Sequence, residues 1–272
     1  MITLRKIKKN LVQYNAYFKY KNNPFGTRPL GSKEEYLKLF HEIKNKKYDL
    51  IDKIEEKNNF SLDKNWLNNL ALQTQIVKKR DQLNYQHGRL IYSYLRKYLL
   101  NKGKEEKINI FETGTARGFS SICMARALID SGHKGVINTI DIVPNGKKIF
   151  WNCISDAEGK KTRLELLNFW KEELQYINFI EGLTSRRINK LKFEKIDFAF
   201  LDGQHDKESV LEEYSFVKKH QIKGDIIIFD DFSKAYNEIK QAVELIKKEK
   251  SYTVSTFEYS DENRGYAIAE KV

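Results

Sequence analysis

The chain has 272 residues, 40% of them hydrophobic and 12% aromatic, with three prolines; it can bury a large core, which excludes a mini-protein and argues against long disordered linkers. Cys123 and Cys153 show neither metal-ligand spacing nor a disulfide framework, no apolar run approaches the length of a membrane span, and the amino terminus lacks an apolar signal core. These features read as a protein of the reducing cytoplasm with no integral membrane contact. The net charge of +12 is uneven, with 24 Lys/Arg against 11 Asp/Glu in residues 1–107 and 25 against 26 in residues 108–272. Such a basic first third suits an anionic partner or, equally, lysine-rich helix faces in water.

Residues 1–31 form a basic segment with aromatics at Tyr14, Tyr17, Phe18 and Tyr20, closing in a Pro/Gly-rich loop whose role the residues do not disclose. A capping box, Ser32-x-x-Glu35, then starts a helix whose apolar positions run from Tyr36 to Ile54. Further helical patterns cover roughly 63–80 and 83–100. Residues 1–82 therefore read as a basic, mostly helical cap, and no linker separates them from residues 83–272. His87 opens the last of these helices, as a site-lining residue or a surface or core-edge histidine.

From residue 108 strand-like and helix-like segments alternate, which predicts an α/β doubly wound sheet with helices on both faces. The apolar run Ile108–Glu112 enters a glycine-spaced turn and leaves as a helix ending near Gly132. Gly114 and Gly118 allow close backbone approach, and the amides opening the helix can receive a carboxylate or phosphate. The spacing is not the dinucleotide fingerprint G-x-G-x-x-G. Strand two, Val136–Asp141, ends in an acid where a doubly wound sheet binds ligands, so Asp141 suits a ribose diol or the cap of the next loop. An irregular interval over 144–162 precedes a helix expected to run through about Gln175. Strand three, Tyr176–Glu181, ends in Gly182-Leu-Thr-Ser185. Strand four, Ile196–Leu201, runs into Asp202-Gly-Gln-His205, and strand five, Asp225–Phe229, into Asp230-Asp231. Three carboxylates at the ends of neighbouring buried strands are costly unless something positive lies between them, and a hard divalent cation would serve. A helix over about 233–250 and a hairpin, Tyr252–Phe257 and Gly265–Glu270 about a turn at Ser260–Asn263, complete the chain.

The pattern Glu112-x-Gly114-x-x-x-Gly118 resembles motif I of the class I S-adenosylmethionine-dependent methyltransferases. Strand–Asp-Gly-x-His followed by strand–Asp-Asp-Phe resembles the metal-dependent O-methyltransferases, of the catechol type and more closely the macrocin type that acts on sugar hydroxyls. The resemblance covers about residues 83–270. It implies a Rossmann-like, seven-stranded methyltransferase sheet with the hairpin as its antiparallel edge. It further implies that Glu112, Gly114, Thr115, Gly118 and Ser120 hold the methionine end of S-adenosyl-L-methionine, Asp141 its ribose and Gly182 and Ser185 its adenine pocket. Asp202 would meet both the cofactor and, with Asp230 and Asp231, Mg²⁺ or Mn²⁺. Where some sugar methyltransferases carry a carboxylate as base, this chain has Gln204, which cannot take a proton; His205 is the nearest titratable side chain, as base, ligand or structural group.

The expected activity is transfer of a methyl group to a hydroxyl of a sugar, polysaccharide or natural product, anionic if the basic cap attracts it. Two alternatives stay open. One is an RNA methyltransferase recruited by the basic region, although nucleic acid is disfavoured because no Asn-Pro-Pro-Tyr-type motif or RNA-binding module is present. The other is a non-catalytic protein that retains the pocket. The apolar residues of the cap would also allow a homodimer.

Overall fold

The computed structural model describes Phe18, residues 20–259 and residues 264–272. Tyr14, Tyr17 and the expected turn at Ser260–Asn263 lie outside the described residues. Four helices come first: α1 (Lys33–Ile43), α2 (Asp49–Asn58), α3 (Lys64–Thr74) and α4 (His87–Leu99). The Ser32 capping box forms, with the Ser32 amide donating to Glu35 at 2.7 Å. The helix expected to run to Ile54 is broken between Ile43 and Asp49. Lys44-Asn-Lys-Lys47 gives a continuing helix nothing apolar to bury, whereas a fresh start at Asp49 places Ile51 and Ile54 against the core.

A seven-stranded sheet follows, in the order β3-β2-β1-β4-β5-β7-β6. Its strands are β1 (Ile108–Thr113), β2 (Gly135–Asp141), β3 (Ile177–Glu181), β4 (Phe198–Leu201), β5 (Ile226–Phe229), β6 (Tyr252–Tyr259) and β7 (Arg264–Lys271). The first five are parallel; β7 inserts antiparallel between β5 and β6. β4 and β5 are buried along their whole length, and a parallel strand covered on both faces must be apolar at every position. The covering helices are α5 (Phe119–Ser131), α6 (Lys207–Lys218) and α7 (Asn237–Lys248). The helix expected through Gln175 is instead two single turns, Arg163–Leu166 and Lys171–Leu174. Leu167 leaves the helical conformation and lodges against Gly118, and the intervening Phe169 is exposed.

Side chains from α1 to α4 belong to the same apolar cluster as α5 and one face of the sheet; α6 and α7 cover the other face. At α4–α5 the packing is close enough that a Cβ on Gly88 would stand 2.8 Å from Phe119 and 2.9 Å from the Cys123 sulfur. No helix among the described residues is long and apolar enough to cross a membrane. The parallel strands all end on one edge of the sheet, and the loops leaving β1, β2, β3 and β4 enclose a cleft of about 540 Å³.

Candidate functional site

The cleft begins where β1 ends. Gly114 turns the chain with φ at +85°, and a Cβ there would stand 1.9 Å from the Asp202 carbonyl oxygen. Only glycine lets the loops after β1 and β4 meet so closely. The Ala116 amide donates to Asp141 Oδ2 at 2.6 Å and the Val143 amide donates to Asp141 Oδ1 at 2.7 Å. Asp141 thus joins the loops after β1 and β2 while forming part of the cleft wall, and each oxygen keeps acceptor capacity for a ligand hydroxyl.

The residues expected at the cofactor fall into two sets. Gly114, Asp141, Gly182, Ser185 and Asp202 line the cleft. Glu112, Thr115, Gly118 and Ser120 lie behind the wall and support it. Glu112 is fully buried and accepts hydrogen bonds from the Ser120 and Ser121 hydroxyls. Burial pushes its carboxyl above the usual range against the pull of those donors. Thr115 pairs with the Thr139 hydroxyl, and Gly118, at φ +89°, stands at the start of α5. A carboxylate so enclosed takes the nearest donors, and the first turn of α5 supplies two.

At the other end of the cleft, Asp202 and His205 lie after β4 and meet the acids after β5. His205 Nε2 is 3.2 Å from Asp231 Oδ2 and 3.9 Å from Asp202 Oδ1, and its ring lies 4.6 Å from that of Tyr236. Arg264, the first residue of β7, bonds Asp231 and places Nη1 3.7 Å from Asp230 Oδ2. It can do so because the Phe232 amide donates to the Gly265 carbonyl at 2.9 Å; a Cβ on Gly265 would stand 2.0 Å from the Phe232 oxygen. Sequence reasoning does not find Arg264. Its one signal is a charge opening the otherwise small and apolar run Gly265–Ala269.

The adjacent acids are not equivalent. Asp231 takes the left-handed conformation, φ +54°, a strain of the kind found at functional sites. Asp230 is 2% exposed, and one of its oxygens accepts from the Asp231 amide at 2.8 Å. Its Oδ2 is buried with no hydrogen-bond partner among the described residues. Burial pushes the Asp230 carboxyl well up, with Arg264 opposing. For Asp231 burial acts in the same direction, but His205 and Arg264 outweigh it and hold the acid down at about 2. Burial also disfavours a charged His205, yet the two carboxylates beside it push its pKa up to about 10. Asp202 is raised, by burial first.

Ligand atoms of Asp202, His205 and Asp231 lie within 4.8 Å of one another. The two carboxylates suit Mn²⁺ or Mg²⁺, an imidazole in the set would favour a transition ion such as Mn²⁺ over Mg²⁺, and the orphaned Asp230 oxygen behind them is a further acceptor. Asp230, expected as a direct ligand, is outside this group, because the left-handed turn at Asp231 leaves it facing inward. The donor set fits a divalent cation, with Arg264 already offsetting part of the carboxylate charge. His87 is away from the cleft wall, 5% exposed, with its ring 4.7 Å from Phe119 and 6.3 Å from Phe200. Burial pushes its pKa down to about 3, so it is neutral.

Residues 111–232 match the family model of a methyltransferase domain. Three solved structures are similar at low sequence identity. TomG, an O-methyltransferase from Streptomyces achromogenes involved in tomaymycin synthesis and solved with SAM, is 16% identical with a TM-score of 0.54, over 78% of this chain and 92% of its own. An O-methyltransferase from Bacillus cereus in complex with SAH is 17% identical with a TM-score of 0.50, over 85% and 94%. Cofactor-bound Rv0187 from MTB is 16% identical with a TM-score of 0.52, over 71% and 83%. A search of curated proteins finds no match. The chain thus shares the Rossmann-like seven-stranded fold of these structures, and its middle part matches the methyltransferase-domain model.

Proposed function

We propose that this protein is an S-adenosylmethionine-dependent O-methyltransferase, assisted by a divalent cation and acting on a hydroxyl of a sugar or related natural product. The observation that carries the reading is one cleft with two chemically distinct ends. One end has Asp141 and Gly182, suited to a nucleoside; the other has Asp202 and His205, with Asp231 3.2 Å from the imidazole, and Gly114, packed on the Asp202 carbonyl, joins the two. In-line transfer needs a donor methyl and an acceptor oxygen held together in such a space.

Asp202 and Asp231 would hold the cation, with His205 beside them. When bound, it would polarise the acceptor hydroxyl and ease loss of its proton. Asp141 would accept from the ribose hydroxyls, and the close contact of Gly114 with Asp202 would fix the cofactor's reactive end against the acceptor. Arg264 keeps Asp231 ionised and turned toward His205. Among the side chains lining the cleft, only His205 has an unperturbed pKa near neutrality. It is the candidate base, and it can take a proton only when Asp202 and Asp231 no longer hold its own so firmly. The choice of a sugar rests on the strand–Asp-Gly-x-His pattern, and the basic first third would favour an anionic acceptor. No described part of the fold dictates the acceptor.

Calorimetric titration of S-adenosylhomocysteine into wild type and Asp141→Ala, beside methyl-transfer assays on sugars and nucleotide sugars with Mg²⁺, Mn²⁺ or EDTA, tests the proposal. Binding that weakens at least about tenfold in the variant, with cation-dependent turnover, is the expected result; one lost charge-assisted hydrogen bond supplies that much. Absence of S-adenosylhomocysteine binding by wild type would overturn the reading.

A further inference from the structure

The segment before α1, whose role the sequence leaves unread, reaches the cleft. Tyr20 and Phe25 line it together with Ala116, Asp141, Ile142 and Leu183. Phe25 is fixed from two sides: the Arg117 guanidinium carbon stands 4.2 Å from its ring centroid, and the Trp151 ring is centred 5.7 Å away. Arg117 comes from the turn after β1 and donates through Nε to the Trp151 carbonyl at 2.6 Å. The Lys147 ammonium, from the loop after β2, donates to Asn22 Oδ1 at 2.7 Å. The segment is thus anchored to the loops that Asp141 ties together.

We infer that Tyr20 and Phe25 form an aromatic wall for the nucleoside end of the cleft, so that this segment is part of the cofactor site. The inference rests on the proposed function. Its chemistry is that of a flat heteroaromatic base, which binds between apolar and aromatic surfaces while a few polar groups set its orientation. Ile142 and Leu183 supply aliphatic surface near Asp141 and Ser185; Tyr20 and Phe25 supply rings. The cation–π contact with Arg117 and the contact with Trp151 hold the Phe25 ring before any ligand arrives, which lowers the ordering cost of binding.

The test is titration of S-adenosylhomocysteine into wild type, Tyr20→Ala, Phe25→Leu, Tyr20→Phe and Phe169→Ala. Phe25→Leu keeps an apolar side chain against Trp151 but removes the ring, and the exposed Phe169, which does not line this cleft, serves as control. Tyr20→Ala and Phe25→Leu are expected to weaken binding by about fivefold to tenfold each, on the scale of an aromatic contact, while Tyr20→Phe and Phe169→Ala remain close to wild type. Hydrogen exchange on the wild-type protein gives a second readout independent of folding in the variants: the ligand should slow the amides of residues 20–26. Wild-type binding with no change in either variant and no protection of 20–26 would overturn the inference alone. Absence of binding by wild type would overturn the functional reading first, and this inference with it.

Discussion

The two ends of β4 and β5 carry the same kind of residue in opposite circumstances. At their amino-terminal ends stand Asp197 and Asp225; at their carboxyl-terminal ends stand Asp202, Asp230 and Asp231. The Tyr98 hydroxyl donates to both lower acids, at 3.0 and 2.7 Å, and backbone amides of Asn109 and Ile222 donate to Asp197 and Asp225 at 2.8 and 2.7 Å. Lys195 lies 2.6 Å from Asp197, and Lys102 lies 3.8 Å from Asp225. Protein donors satisfy that pair. The upper acids keep an orphaned oxygen on Asp230, a strained backbone at Asp231 and a cleft in front of Asp202. Buried acids become candidates for chemistry where the protein stops supplying their partners, since an incompletely satisfied carboxylate is costly for folding alone.

That contrast can be broken most forcefully at Asp231. Asp231→Asn should lower methyl transfer by about 100-fold or more, the scale of removing one preorganised electrostatic partner, with S-adenosylhomocysteine affinity close to wild type by calorimetry. Equal loss from Asp225→Asn would erase the distinction between the ends. The reverse change is Tyr98→Phe, which withdraws one donor from both lower acids. It should cost about 1–3 kcal/mol of stability in urea unfolding and leave the cofactor affinity unchanged.

Another effect concerns a third way of housing a buried acid. Glu213, on α6 and 3% exposed, accepts from the Thr113 hydroxyl at 2.8 Å and has no cation beside it among the described residues. Burial pushes its pKa up to about 8, with Thr113 opposing. The unfolded carboxyl titrates near 4.3, so between about pH 4.5 and 8 the folded protein binds a proton that the unfolded chain does not. Stability from this group therefore falls as pH rises through that window. Glu213→Gln should remove the fall, and unfolding midpoints measured from pH 5 to 8 should diverge in the variant's favour toward pH 8.

How much of this is legible in sequence depends on whether a feature is carried by neighbouring residues. Phe198–Leu201 and Ile226–Phe229 declare themselves, because a strand buried on both faces must be apolar throughout, and the acids that follow mark the ligand edge. Asp141 and Gly114 follow from the same logic. Arg264 does not, since only the insertion of β7 between β5 and β6 brings it to Asp231. An expectation that a cation alone offsets the acids overlooks this guanidinium. Glu112 looks like a ligand in the motif, but its burial turns it to Ser120 and Ser121. Tyr20 and Phe25 lie in a stretch without periodicity, so nothing local points them at a cleft. The break at Lys44–Lys47 is readable in hindsight from its lack of apolar residues.

The most direct measurement is Mn²⁺ titration followed by electron paramagnetic resonance on wild type, Asp231→Asn and Asp225→Asn, each with and without S-adenosylhomocysteine. The account predicts a bound Mn²⁺ in wild type and Asp225→Asn, lost in Asp231→Asn, with a spectrum that changes when S-adenosylhomocysteine enters the adjoining cleft. Wild type that binds no Mn²⁺, or an Asp231→Asn variant that binds it equally well, would contradict the assignment of the upper acids to a cation site.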